Sequence, residues 1–180
     1  MTKYIRSTLI QVLKGNNILL GMKKRGFGKG KYNGFGGKLQ ENETVKQAAI
    51  RELYEESNLI AKEKDIEQIA ILLFEFVGDD FIMEVNVFKT HVYSGNEKES
   101  DEMKPIWFSF DEIPYSQMWA DDEFWFPLMF KGKHFFGFFQ FKGQQKMLSQ
   151  KITITESENE LVSLLHERQK SLGVPLTWPS

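Results

Sequence analysis

Residues 36–59, GGKLQENETVKQAAIRELYEESNL, constrain the fold most, because their middle must be helical and that helix crowds its carboxylates. Thr44 and Gln47 have the spacing of a capping box, so the helix starts there and runs to about Ser57. At about 100° per residue, Glu52, Glu55 and Glu56 fall within an arc of roughly 100°. Val45, Ala48 and Ala49 lie on the same side one or two turns earlier, whereas Gln47, Arg51 and Tyr54 point the other way. A solvated acidic face sits opposite the apolar stripe; here the carboxylates extend it. Ile50 and Leu53 widen the apolar surface, as if the helix were covered on two sides.

Three crowded, partly buried carboxylates repel one another and are driven toward protonation unless a cation compensates them. The chain has no Cys, and His91, His134 and His166 form no H-x-x-x-H pair, which excludes thiolate chemistry and disfavours a histidine metal site. Oxygen ligands suit a hard divalent cation, Mg2+ or Mn2+. The competing reading is a charged surface without metal.

A chain of 180 residues is expected to form one domain. Its 16 Phe and 4 Trp suggest an aromatic-rich core or a flat ligand, and its net charge of -2 weighs against nucleic-acid backbone as the main partner. A small molecule is the expected partner. Neither a signal peptide nor a membrane-spanning run is legible, so a cytoplasmic protein without a membrane partner is expected.

Strands are predicted at residues 4–13 and 17–23, joined through KGNN, and then at 68–77, 81–93 and 105–110. The glycine-rich run RGFGKGKYNGFGGK lets backbone approach a ligand closely, but matches neither a P-loop nor a G-x-G-x-x-G turn. DEIPYSQM and DDEFWFPLMF read as short helical or turn segments, and HFFGFFQFK with KMLSQKITI as a closing hairpin. The composition changes near Thr155. Ser157 and Glu160 fit a second capping box, and Leu161, Leu164, Leu165, Arg168 and Leu172 recur at helical spacing before Gly173 and Pro175. This places a domain at 1–156 and an amphipathic extension at 157–180, packed on the domain or serving as a contact surface of an otherwise monomeric protein.

Gly37, five residues, Glu43, seven residues and RELYEESNL resemble the Nudix box, G-x5-E-x7-R-E-U-x-E-E-x-G-U, with U aliphatic. The departure is Asn58 in place of the last glycine, and Asn is the least costly non-glycine residue for a left-handed helix end. The resemblance extends over roughly residues 3–154 through LLGMKKRGFGKGKYNGFGGK, FEFVG, ESDEMKPIWF and MWADDEFWFPLMF, toward the branch of the family that acts on oxidised purine nucleoside triphosphates. It implies an α/β fold, an α/β/α sandwich around a mixed sheet, to which an extra C-terminal helix is added.

By the same resemblance, Glu52, Glu55, Glu56 and the carbonyl of Gly36 hold Mg2+ or Mn2+, Glu102 adds a carboxylate as ligand or general base, and Arg51 and Glu43 orient the set. Glu56 and Glu102 both stay open as the base. Asn33, Asp121 and Asp122 match purine-reading positions, and Phe27, Phe74, Met83 and Trp119 match apolar walls. Thr8, Lys23, Phe35, Gly36, Gly37, Lys38 and Ala120 complete the expected substrate contacts, Ala120 standing where relatives often have Pro. The implied reaction converts 8-oxo-dGTP or 2-oxo-dATP to the monophosphate and pyrophosphate. Rivals are a Nudix hydrolase for another nucleoside diphosphate derivative and a non-catalytic nucleotide-binding module.

Overall fold

The computed structural model describes residues 2–177. Its described strands are β1 (Lys3–Lys14), β2 (Asn17–Lys23), β3 (Tyr32–Asn33), β4 (Ile66–Phe76), β5 (Phe81–Thr90), β6 (Met103–Ser109), β7 (His134–Lys142) and β8 (Lys146–Thr155), and its α-helices α1 (Val45–Ser57), α2 (Asp122–Phe130) and α3 (Glu158–Leu172). The strands form one mixed sheet in the order β3-β2-β1-β5-β4-β7-β8, with β6 also paired to β2. β1 runs parallel to β5, from Lys3 opposite Phe81 to Val12 opposite Thr90, and β4 runs parallel to β7; the remaining pairings are antiparallel.

Side-chain alternation sorts the sheet into two faces. One gathers Leu9 and Leu13 of β1, Leu72 of β4, Val87 of β5 and Phe135 and Phe139 of β7 beneath Trp125, Phe126 and Met129 of α2. On the other, Ile10, Val12, Leu19 and Phe88 pack under Val45, Ala49 and Leu53 of α1. Farther along that face, Ile71, Leu73, Phe136 and Phe138 are covered by Leu161 and Leu165 of α3. The expected sandwich is present, with α1 and α3 sharing one layer.

The expected elements appear with shifted ends. β5 stops at Thr90 and not at residue 93, because the Thr90 hydroxyl bonds the carbonyls of Asp65 and Val92 and accepts from the Val92 amide, turning the chain out of the ladder. In α3, Ser157 caps the Glu160 amide, but the Glu160 carboxylate accepts from the Glu156 amide, one residue before the cap, so the box is incomplete. Among the described residues, no helix is long and apolar enough to cross a membrane.

The extension is tied to the sheet by polar bonds as well as apolar ones. Gln169 of α3 and the following Thr177 converge on fully buried Glu84 of β5. The Glu84 carboxylate also receives Tyr4 Oη at 2.7 Å, Asn86 Nδ2 at 2.8 Å and Arg6 Nε at 3.2 Å. A buried carboxylate is tolerable when its lone pairs are filled and a cation balances it. The strand so anchored carries Met83 and Val85, whose side chains face the opposite side of the sheet.

Leu165 lies 2 % exposed between α3 and the sheet. Leu165→Ala is expected to lower unfolding free energy by about 2–5 kcal/mol, the cost of a core Leu truncation. Denaturant titration measures it; a loss under about 0.5 kcal/mol, as at surface positions, contradicts the packing described for α3.

Candidate active site

Helix α1 begins and ends as its sequence dictates. The Thr44 hydroxyl accepts from the Gln47 amide at 3.1 Å and the Gln47 side chain accepts from the Thr44 amide at 3.1 Å, closing the box at both ends. Asn58 terminates the helix with φ 67°, the left-handed geometry expected where the Nudix pattern has glycine.

Next to the helix, residues 34–37 lie along β1. Ile10 and Phe35 exchange backbone bonds, and the Thr8 amide donates to the Gly37 carbonyl. The approach is too close for side chains: a Cβ on Gly36 would fall on the Thr8 carbonyl, and one on Gly37 on the Glu52 carboxylate. The Gly36 amide can therefore donate to Glu56 Oε2 at 3.0 Å.

The carboxylates have different environments. Glu56 is 3 % exposed, and burial pushes its pKa up to about 7, with the negative charges of Glu52 and Glu102 adding to the rise. Burial also raises Glu52, against the opposing pull of Arg51. Glu102 is held below the usual carboxylate range by its hydrogen bond to Arg25 and by Lys23. Arg51 pairs with Glu43, which precedes the helix, at 2.7 Å, with its neighbour Glu52 at 2.8 Å and with Glu55 at 3.2 Å; the four-residue spacing from Arg51 to Glu55 sets the two about 40° apart, so Arg51 borders the acidic face that it was expected to oppose. Lys23 bridges Glu56 at 3.5 Å and Glu102 at 3.2 Å.

Among the described residues, no three Asp, Glu, His or Cys side chains are already gathered in metal-holding geometry. Amino-acid cations compensate the cluster instead. With all groups ionised, five carboxylates (Glu43, Glu52, Glu55, Glu56, Glu102) face three cations (Lys23, Arg25, Arg51), an excess of two negative charges that one divalent cation matches. With Glu43 occupied by Arg51, the remaining carboxylates Glu52, Glu55, Glu56 and Glu102 offer only hard oxygens, so the donor set fits Mg2+ or Mn2+. Glu55 is the outlying member: its side chain is 53 % exposed and turned to Arg51.

Glu56, Lys23 and Glu102 line a cavity of about 650 Å³. Its walls come from alternate residues of three adjacent strands: Ile5, Ser7 and Leu9 of β1, Leu72, Phe74 and Phe76 of β4, and Phe81, Met83 and Val85 of β5. In the same lining, Phe27 stacks on Trp119 with ring centroids 5.1 Å apart. Gly26, Gly28 and Gly30, with φ of 72°, 79° and 85°, fold the loop that presents Phe27. The loop is held to the β7–β8 turn by the Gly28 amide donating to Gln144.

Asp121 and Asp122 line the same cavity, each 2 % exposed. Asp121 stands at the N-cap of α2 but makes no side-chain capping bond; its Oδ2 accepts from Trp125 Nε1 at 2.9 Å. Burial raises Asp121 to about 6, while burial and the neighbouring Asp121 charge raise Asp122 well above the ordinary range. One oxygen of each, Asp121 Oδ1 and Asp122 Oδ2, is buried with no partner among the described residues, as is the Thr8 hydroxyl. Asn33 accepts from the Gly34 amide through Oδ1, leaving its NH2 group without a bond among the described residues. Unpaired buried polar atoms around an apolar slot can pair with the edge of a flat heterocycle.

Of the expected substrate contacts, Thr8, Lys23, Phe27, Asn33, Gly36, Gly37, Lys38, Phe74, Met83, Trp119, Asp121 and Asp122 line this cavity. Phe35 and Ala120 do not. Phe35 is fully buried in the α1 core, because pairing with Ile10 turns its ring under the helix; Ala120 packs against the α2 core. Among the lining residues that the expectation missed are Leu72, Phe76, Phe81, Val85 and Lys31, the last lying 5.4 Å over the Trp119 ring. Alternation with Phe74 and Met83 marks the four apolar ones as same-face neighbours.

The NUDIX domain family matches residues 3–129. The chain is 50% identical over 149 residues to the oxidized purine nucleoside triphosphate hydrolase of Danio rerio, covering 83% of this chain and 94% of that protein. It is 45% identical over 150 residues to the Mus musculus protein of the same name, covering 83% and 95%. The crystal structure of a mutator MutT protein from Bacillus halodurans has the same fold, with TM-score 0.73 and 24% identity over 82% of this chain and 97% of that one. A bifunctional NMN adenylyltransferase/ADP ribose pyrophosphatase from Francisella tularensis, complexed with AMP and a Mn ion, aligns with TM-score 0.55 and 20% identity over 73% of this chain and 42% of that one. Family match, relatives and fold agree on the segment that carries the carboxylate helix, and the chain belongs to the Nudix family.

Proposed function

We propose that the protein hydrolyses oxidised purine nucleoside triphosphates, 8-oxo-dGTP and 2-oxo-dATP among them, to the monophosphate and pyrophosphate, with Mg2+ or Mn2+ as cofactor, and so removes mutagenic precursors from the nucleotide pool. The observation that carries the reading is the single cavity lined both by Glu56 and Glu102 and by Trp119, Asp121 and Asp122. The names of the relatives from Danio rerio and Mus musculus point to the same substrates.

Glu52, Glu56, Glu102 and the Gly36 carbonyl would hold the cation, with Glu55 joining if it leaves Arg51. When bound, the cation supplies charge neutralisation at the phosphates and lowers the pKa of water. Arg51, fixed by Glu43, keeps Glu52 from swinging away. The Gly36 amide fixes one oxygen of Glu56, leaving the other free to turn from Lys23 to the cation or to a proton. In the same cavity, Phe27 and Trp119 form the stacking wall and the apolar strand residues exclude water. One protonated aspartate donates while the other accepts, so the pair can read more than one purine edge.

A panel of normal and oxidised nucleoside triphosphates with Mg2+, scored for pyrophosphate release, tests the reading; faster turnover of the normal purines than of the oxidised ones overturns it. Glu56→Gln changes charge but little volume, so the protein should stay folded while turnover falls by about two or more orders of magnitude. Near-native turnover would remove Glu56 from the chemistry.

Asp122→Asn fixes a donor, so kcat/KM should fall unequally for 8-oxo-dGTP, 2-oxo-dATP and dGTP. An equal factor for all three contradicts base reading by this pair. The same variant tests the burial of charge. With Asp122 raised in the folded state, the unfolded chain ionises first as pH rises past about 4, so native stability falls from there upward. Thermal melts should show Asp122→Asn gaining on the parent between pH 4 and pH 8; a constant difference would contradict the raised value.

A further inference from the structure

Lys23 ends β2 and lines the cavity beside Glu56 and Glu102 with its side chain 21 % exposed. Its ammonium joins two parts of the chain, Glu56 of α1 and Glu102 of the loop entering β6. The next two residues reinforce that junction. The Lys24 amide donates to the Glu102 carbonyl at 2.7 Å, Lys24 Nζ pairs with Glu99 at 2.8 Å, and Arg25 pairs with Glu102 at 3.0 Å. The Ser100 hydroxyl donates to the Glu56 carbonyl, so this loop is also pinned to the helix that carries the carboxylates.

Glu56 and Glu102 thus have a counter-ion where they face each other. Glu56 cannot exchange it for water without exposing a nearly fully buried carboxylate, so the ammonium and an incoming cation must compete for the same oxygens. We infer that Lys23 is the resident counter-ion of the metal site: it ties Glu56 to Glu102 in the metal-free protein, opposes entry of the divalent cation, and is released into the cavity when that cation binds. The inference rests on the metal reading given under Proposed function. It adds that metal and nucleotide binding are linked, because a freed ammonium inside the cavity pairs with the phosphates that the cation also draws in. The exchange is ionic, and no covalent bond is made or broken.

The test is Mn2+ titration of nucleotide-free protein at fixed pH, following free Mn2+ by electron paramagnetic resonance, in the parent, Lys23→Met, Lys23→Gln and Lys23→Arg. Removing a like charge within a few ångströms of the cation should tighten Mn2+ binding by about tenfold in both neutral variants. The Arg variant should bind as the parent does. Thermal melts give a second reading: the neutral variants should melt lower than the parent without metal, and Mn2+ should raise their melting temperature by more than it raises the parent's. Equal or weaker Mn2+ binding in either folded neutral variant overturns the role of Lys23 while leaving the metal site standing. No Mn2+ binding by parent or variants at millimolar concentration overturns the metal reading and the inference with it.

Discussion

Burial of the Glu56 carboxylate beside its acidic neighbours is the constraint around which the rest of the site is arranged. A carboxylate 3 % exposed must have its lone pairs filled and its charge balanced. The Gly36 amide answers the first need, which forces residues 34–37 so close to β1 and α1 that Gly36 and Gly37 have no room for a Cβ. Lys23 answers the second and draws the end of β2 and the Glu102 loop to the same place. Three segments far apart in sequence are thereby held at one point.

The sheet divides the remaining work between its faces. Alternate residues of β1, β4 and β5 point into the cavity, while those between them pack beneath α1 and α3. Glu84 shows how the two are coupled. It is a single residue between Met83 and Val85 of the cavity wall, and on its own face it collects bonds from Tyr4, Arg6, Asn86, Gln169 and Thr177. The C-terminal extension therefore fixes the back of a strand whose front forms the pocket, although none of its described residues lines that pocket.

What the sequence made legible follows the range of the interactions involved. Helix α1 could be placed from Thr44, Gln47 and Asn58 because caps act over three or four residues. The same holds for the aliphatic spacing of α3. Pairings across the sheet have no such local mark. Nothing near Phe35 announces that it pairs with Ile10 and turns into the core, so a glycine-rich neighbourhood suggested a ligand contact instead. Likewise, alternation shows that Leu72, Phe74 and Phe76 share a face, but not that this face, packed against α2, also lines a cavity. The place of Arg51 was misjudged for another reason: its four-residue spacing to Glu55 sets it at the border of the acidic face, not opposite to it.

The central claim is that one cavity binds a purine at Trp119, Asp121 and Asp122 while its phosphates meet a divalent cation at Glu52, Glu56 and Glu102. The most direct measurement is a crystal structure with Mn2+ and a non-hydrolysable imido analogue of 8-oxo-dGTP, with the metal located by anomalous scattering. The account predicts a manganese peak bonded to Glu56 oxygen, Lys23 displaced onto phosphate, and the purine against Trp119 with its edge on both aspartates. Manganese bound away from Glu56, or a purine outside the slot formed by Phe27, Phe74, Met83 and Trp119, would contradict it.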